Sequence, residues 1–211
     1  DNLTPGIFSK MAGAMAAERL DILDAQIITR DDGIVVNTFQ ASDPDYVGVP
    51  PEDRRASVAD TIIRVLKGEE ALAQLLRRNT RFSTAHRLSG THHATEVEID
   101  NGICDRLTVL DVFADDTQGL LYVITHAIFE LGLSVHAARI STRLDDDIQQ
   151  SLRTVGRHQV VDVFYVTDRD GAKIEDHARL DAIRSTIKRD IDLFMGQPVD
   201  ASEGVSTGIP S

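Results

Sequence analysis

Apolar residues over positions 5–19 recur every three or four residues: Ile7, Phe8, Met11, Ala14 and Met15. That spacing predicts a helix with one buried stripe. Thr4 and Pro5 read as its N-cap and first residue, since proline's missing N–H costs nothing in a first turn. Two strand-type runs follow, 22–30 and 34–40, joined by Asp31, Asp32 and Gly33, with glycine free to take the positive φ of a tight hairpin. Residues 41–53, with Pro44, Gly48, Pro50 and Pro51, read as loop. A second helix carries Val58, Ile62, Val65 and Leu66, is interrupted at Gly68 and resumes over Leu72, Leu75 and Leu76.

After a polar stretch at 79–93 the pattern restarts. Two short strands, 95–99 and 107–113, flank Asn101 and Gly102 and should pair antiparallel. A helix over 118–131 stops at Gly132, and strands 134–141 and 160–167 form a second hairpin with a long acidic connection through Asp145, Asp146 and Asp147. Leu180, Ile183, Ile187, Ile191 and Phe194 set a last helix over 177–194, and the tail after Gly196 reads as disordered.

The restart is a repeat. Moved forward by 113 positions, residues 4–30 fall without a gap on 117–143, with identities at Thr4/Thr117, Gly6/Gly119, Ala14/Ala127, Leu20/Leu133, Ala25/Ala138, Ile27/Ile140, Thr29/Thr142 and Arg30/Arg143. The match resumes at an offset of 125, where Val35, Val36, Phe39 and Asp43 meet Val160, Val161, Phe164 and Asp168. A period this long means two small domains rather than a solenoid, whose repeats run at roughly 20 to 50 residues. Each unit reads β-α-β-β-α, which closes as a ferredoxin-like antiparallel sheet with two helices on one face. The expected fold is therefore α+β with two such domains: residues 1–78, a linker at 79–93, residues 94–195 and a tail at 196–211. The strand matching 107–113 is missing from the first copy and is expected ahead of Asp1, so an N-terminal extension is expected.

Charge narrows the partners. Asp and Glu number 34 and Lys and Arg 22, a net charge of −12, the wrong sign for a surface that tracks nucleic-acid phosphates. No apolar run approaches the ~20 residues of a membrane span, and the single cysteine, Cys104, suits a reducing cytoplasmic compartment. Neither a phosphate-binding loop with lysine nor a Gly-x-Ser-x-Gly turn occurs, and no catalytic site is expected in this chain. The pair His92-His93 lacks a companion ligand cluster and reads as solvated loop.

The runs GIFSKMAGAMAAERLDILDAQIITRDDGIVVNTFQASD, EVEIDNGICDRLTVLDVFADDTQGLLYVITHAIFELGLSVHAARIS and VVDVFYVTDRDGAKI resemble the tandem ACT domains at the C-terminus of bifunctional PII uridylyltransferase/uridylyl-removing enzymes. The resemblance covers most of residues 4–194. It implies a regulatory segment that senses glutamine and sets the balance of the two activities. The catalytic domains of the parent chain, the PII protein and a possible homodimer mate are the implied partners. Magnesium is implied for the parent enzyme, and no cofactor for this segment. Where such domains commonly carry Asp-Arg-Pro-Gly at the strand-to-helix turn, this chain has Asp116-Thr117-Gln118-Gly119 and Leu3-Thr4-Pro5-Gly6.

These turns hold the candidate ligand-binding residues: Asn2, Thr4, Gly6 and Ile7 in the first copy, Asp115, Asp116, Gly119 and Leu120 in the second. Helix-opening amides at Gly6 and Gly119 suit an amino acid's α-carboxylate, and oxygens of Asn2, Asp115 or Asp116 suit its α-ammonium group. The plainer reading is that the glycines permit close packing and the acids cap helices. Asp24, Gln26 and Asn37 are polar positions inside strands, facing either a seam or water. The alternatives to glutamine sensing are a docking or dimerisation module without a metabolite site and a stand-alone amino-acid-binding ACT protein.

Overall fold

A computed structural model describes residues 6–29, 35–78, 93–141 and 159–196. The elements in chain order are α1 (Ile7–Ala17), β1 (Asp21–Thr29), β2 (Val35–Ser42), α2 (Glu52–Lys67), α3 (Leu72–Arg78), β3 (Glu96–Asp100), β4 (Thr108–Asp115), α4 (Leu120–Glu130), β5 (Ser134–Ser141), β6 (Gln159–Thr167) and α5 (His177–Met195). The fold is α+β, with antiparallel strand pairs throughout.

The strands of both repeats join in one six-stranded sheet of order β2-β1-β5-β6-β4-β3. Within the second half the order β5-β6-β4-β3 is ferredoxin-like, with β3, which precedes β4 in the chain, holding the outer position beside it. The halves meet where β1 pairs with β5, its own counterpart in the repeat. Ala25 faces Ile140, Ile27 faces Ala138, and Gln26 faces Arg139 at the centre. Since Ala25 and Ile27 correspond to Ala138 and Ile140 at the 113 offset, the pairing is self-complementary about a local two-fold axis, as in an isologous dimer.

Register explains the core. Asn37, Ile27, Ala138, Phe164, Leu110 and Ile99 are successive cross-strand partners from one edge of the sheet to the other and so share one face. Phe164 and Leu110 are completely buried, and they cluster with Phe8 of α1, Ile124 and Ile128 of α4 and Ile183, Ile187 and Ile191 of α5. One apolar core therefore runs through both halves. Gly13 lets the helices close over it: a Cβ there would stand 2.6 Å from Leu72 and 2.8 Å from Tyr122.

The repeated helices start differently from the expectation at Thr4 and Pro5, which lie outside the described residues. α1 begins at Ile7 behind Gly6 at φ 71°, and α4 at Leu120 behind Gly119 at φ 90°. Both caps are left-handed, a conformation glycine adopts without the Cβ clash. Asn2, Asp31, Asp32 and Gly33, most of the 79–93 stretch, the acidic connection and the tail also lie outside the described residues. Among the described residues no helix is long and apolar enough to cross a membrane.

Candidate functional site

Two cavities open where each glycine-capped helix start meets the other half. The smaller, about 320 Å³, lies between Asp116–Leu120 and Leu20, Asp21, Ile22 and Leu23 at the start of β1. The larger, about 660 Å³, lies between Gly6 and Ile7 and Leu133, Ser134, Val135 and His136 at the start of β5. Their walls correspond through the repeat. At the 113 offset Gly6, Leu20, Asp21, Ile22, Leu23 and Ile27 become Gly119, Leu133, Ser134, Val135, His136 and Ile140; at the 125 offset Asn37 and Ser42 become Asp162 and Thr167.

The candidate residues divide accordingly. Asp116, Gly119 and Leu120 line the smaller cavity, and Gly6 and Ile7 the larger. Asn2 and Thr4 lie outside the described residues. Asp115 is not among the lining residues of either cavity: it is 2% exposed and accepts a hydrogen bond from the His93 backbone at 3.2 Å, with Nδ1 of the same histidine 2.5 Å from its other oxygen. His93, expected as solvated loop, is thus tied to the end of β4.

The two cavities differ in charge. Three carboxylates, Asp21, Asp116 and Asp162, line the smaller one, and no lysine or arginine does so among the described residues. Gln118 draws its sides together, its Nε2 donating to the Arg19 carbonyl at 2.8 Å and to Asp21 Oδ1 at 3.1 Å. Such a site suits a ligand with a cationic group, and the helix-opening turn offers amide N–H groups to an anionic one.

The larger cavity has apolar walls of Phe8, Ile27, Ile128, Phe129, Leu133 and Val135, and among the described residues Arg169 is the charged one that lines it. His136 lies beside these walls. Burial lowers its pKa from 6.5, and because the Thr167 hydroxyl donates to the Asp168 carbonyl at 2.9 Å, the 2.9 Å contact from His136 Nε2 to that hydroxyl has the imidazole donating. Asn37 gives a weak 3.4 Å hydrogen bond from Nδ2 to Met11 Sδ. Its buried Oδ1 has no hydrogen-bond partner among the described residues.

Sequence reasoning placed the turns and missed the opposite walls. Asp21, Ser134 and Asp162 come from strands whose polar residues carry no local sign of facing a cavity, although their counterparts could be read from the repeat. Among the described residues no three His, Cys, Asp or Glu side chains converge as metal ligands.

No protein-family model matches the chain, and no solved structure is found to match it. Curated relatives do. A bifunctional uridylyltransferase/uridylyl-removing enzyme from Rhodospirillum rubrum is 34% identical over 207 residues, 97% of this chain and 20% of the relative. Enzymes of the same name from Gluconobacter oxydans and Rhodopseudomonas palustris are 32% and 35% identical over 183 and 184 residues, each match covering 87% of this chain and 18% of the relative. The chain spans about one-fifth of the length of these proteins. Over nearly all its length it is therefore a homologue of one segment of the bifunctional uridylyltransferase/uridylyl-removing enzymes.

Proposed function

We propose that this chain is the amino-acid-sensing segment of a cytoplasmic uridylyltransferase/uridylyl-removing enzyme, with glutamine as its effector. It regulates and does no chemistry itself; its partners are the catalytic domains of the same enzyme and, through them, a PII protein. The observation that carries the reading is the smaller cavity, where a glycine-capped helix start and three carboxylates enclose about 320 Å³. Glutamine's α-carboxylate lies against the amides near Gly119, its α-ammonium group against Asp116 and Asp21, and its side-chain amide reaches Gln118 or Ser42.

Because the cavity walls come from both halves, a ligand there favours one packing of the halves over another. It shifts that equilibrium only by its difference in affinity for the two packings, a coupling typically of about 1 to 3 kcal/mol.

Isothermal titration calorimetry with glutamine, glutamate and asparagine tests the reading. Saturable heat selective for glutamine is expected, weakened at least about tenfold in Asp116→Asn, a loss of about 1.4 kcal/mol. Gly119→Val, which forces a β-branched residue to φ 90°, should abolish binding with the far-UV circular dichroism retained. A folded protein giving no heat with any of these amino acids would favour the docking-module alternative.

A further inference from the structure

The larger cavity is the repeat counterpart of the smaller, yet its charge is reversed. Where the smaller has Asp21 and Asp162, the larger has Ser134 and Asn37. The position matching Asp116 is Leu3, and Pro44 is replaced by Arg169. Among the described residues no carboxylate lines the larger cavity and none is within ion-pair distance of Arg169. No anion among the described residues would then meet an α-ammonium group, whose desolvation is costly. The described walls therefore suit an α-amino acid less well than those of the other cavity do, although the backbone frame is repeated.

The remaining features specify a ligand. Arg169 offers a planar guanidinium suited to a carboxylate. Its place depends on Gly132, at φ 70°, where a Cβ would stand 2.6 Å from the Arg169 Nε. Asn37 Oδ1 is a buried acceptor with no donor among the described residues, a deficit a ligand hydroxyl removes. The walls between are aliphatic and aromatic.

We propose that the larger cavity binds a 2-hydroxycarboxylate with an apolar body, its carboxylate on Arg169, its hydroxyl on Asn37 and its hydrocarbon against Ile27, Ile128 and Val135. Burial disfavours the cationic form of His136, in keeping with this assignment. The chain then reads two metabolite classes through two copies of one frame. This assignment does not depend on what the smaller cavity binds.

The test uses two probes with one carbon skeleton, 2-hydroxy-4-methylpentanoate and leucine, which differ in carrying hydroxyl or ammonium at the second carbon. Calorimetric titration of the chain should give saturable binding of the hydroxy acid and at least about tenfold weaker binding of leucine. Arg169→Gln, at an exposed position, should weaken the hydroxy acid at least about tenfold and leave the glutamine titration unchanged; Asn37→Ala should weaken the hydroxy acid, and Asp116→Asn should not. Leucine binding as well as the hydroxy acid, no saturable heat with the hydroxy acid, or indifference to Arg169→Gln would overturn the proposal. If glutamine fails to bind while the hydroxy acid succeeds, only the glutamine reading falls; the converse removes only this one.

Discussion

At the scale of single residues, the electrostatics of β4 make a testable case. Asp111 faces Glu98 directly across the β3–β4 ladder, and burial, followed by the charges of Glu98 and Asp100, raises its pKa above the ordinary 3.8. The folded state therefore holds the Asp111 proton more tightly than the unfolded state, so this carboxyl favours unfolding at neutral pH and the penalty is relieved as pH falls through the raised value. Asp111→Asn should raise stability at pH 7 by up to about 1 kcal/mol, the size of an opposed like-charge pair, or a rise of about 2 to 4 °C in Tm. Thermal denaturation at pH 7 and pH 3.5 checks it, because the gain should vanish at the lower pH. Single positions also mark where the sequence was readable. Gly6 and Gly119 announced themselves through the repeat and glycine's access to left-handed backbone. The link between His93 and Asp115 could not, since 22 residues separate a histidine and a carboxylate whose contact depends on how the chain returns to β4.

Among elements, α1 packs on α2, α3 and α4 together. Glycine inside an exposed helix usually gains from replacement by a residue with better helix propensity. Gly13 should do the opposite, because its Cβ position is taken by Leu72 and Tyr122. Gly13→Val should cost about 1 to 3 kcal/mol through overpacking, read as a lower urea midpoint with an unchanged slope. Behind α1, Arg54 of α2 holds three things at once: Glu18 Oε2 at 2.5 Å, the Glu18 carbonyl at 2.6 Å and Asp43 Oδ2 at 2.8 Å. Thr61 adds a bond to Glu18 Oε1 at 2.7 Å. Arg54→Met would leave Asp43, with its side chain 1% exposed, buried without its cation, and should cost about 3 to 5 kcal/mol in chemical denaturation. The helices and hairpins themselves were legible because their apolar periodicity is set by the local backbone. The Arg54 cluster was not, because it joins residues 36 and 11 positions apart through a loop whose proline content says only that it turns.

For the whole molecule, the sequence shows the duplication but not its outcome as one sheet. Edge pairing between β1 and β5 depends on a self-complementary register, and neither strand alone records which partner completes it. With a core continuous across that seam, the chain should unfold in a single transition, with far-UV circular dichroism and near-UV signals coincident on heating. Two separated transitions would mean that the halves are stable apart. The seam also has an evolutionary consequence. In a symmetric homodimer each substitution changes both copies of a site together, so neither can acquire a new ligand without altering the other. Here the two sides of the local axis are encoded separately, and the matching positions carry Arg169 in one repeat and Pro44 in the other. Joining the repeats in one chain thus leaves each side of a symmetric frame free to change alone.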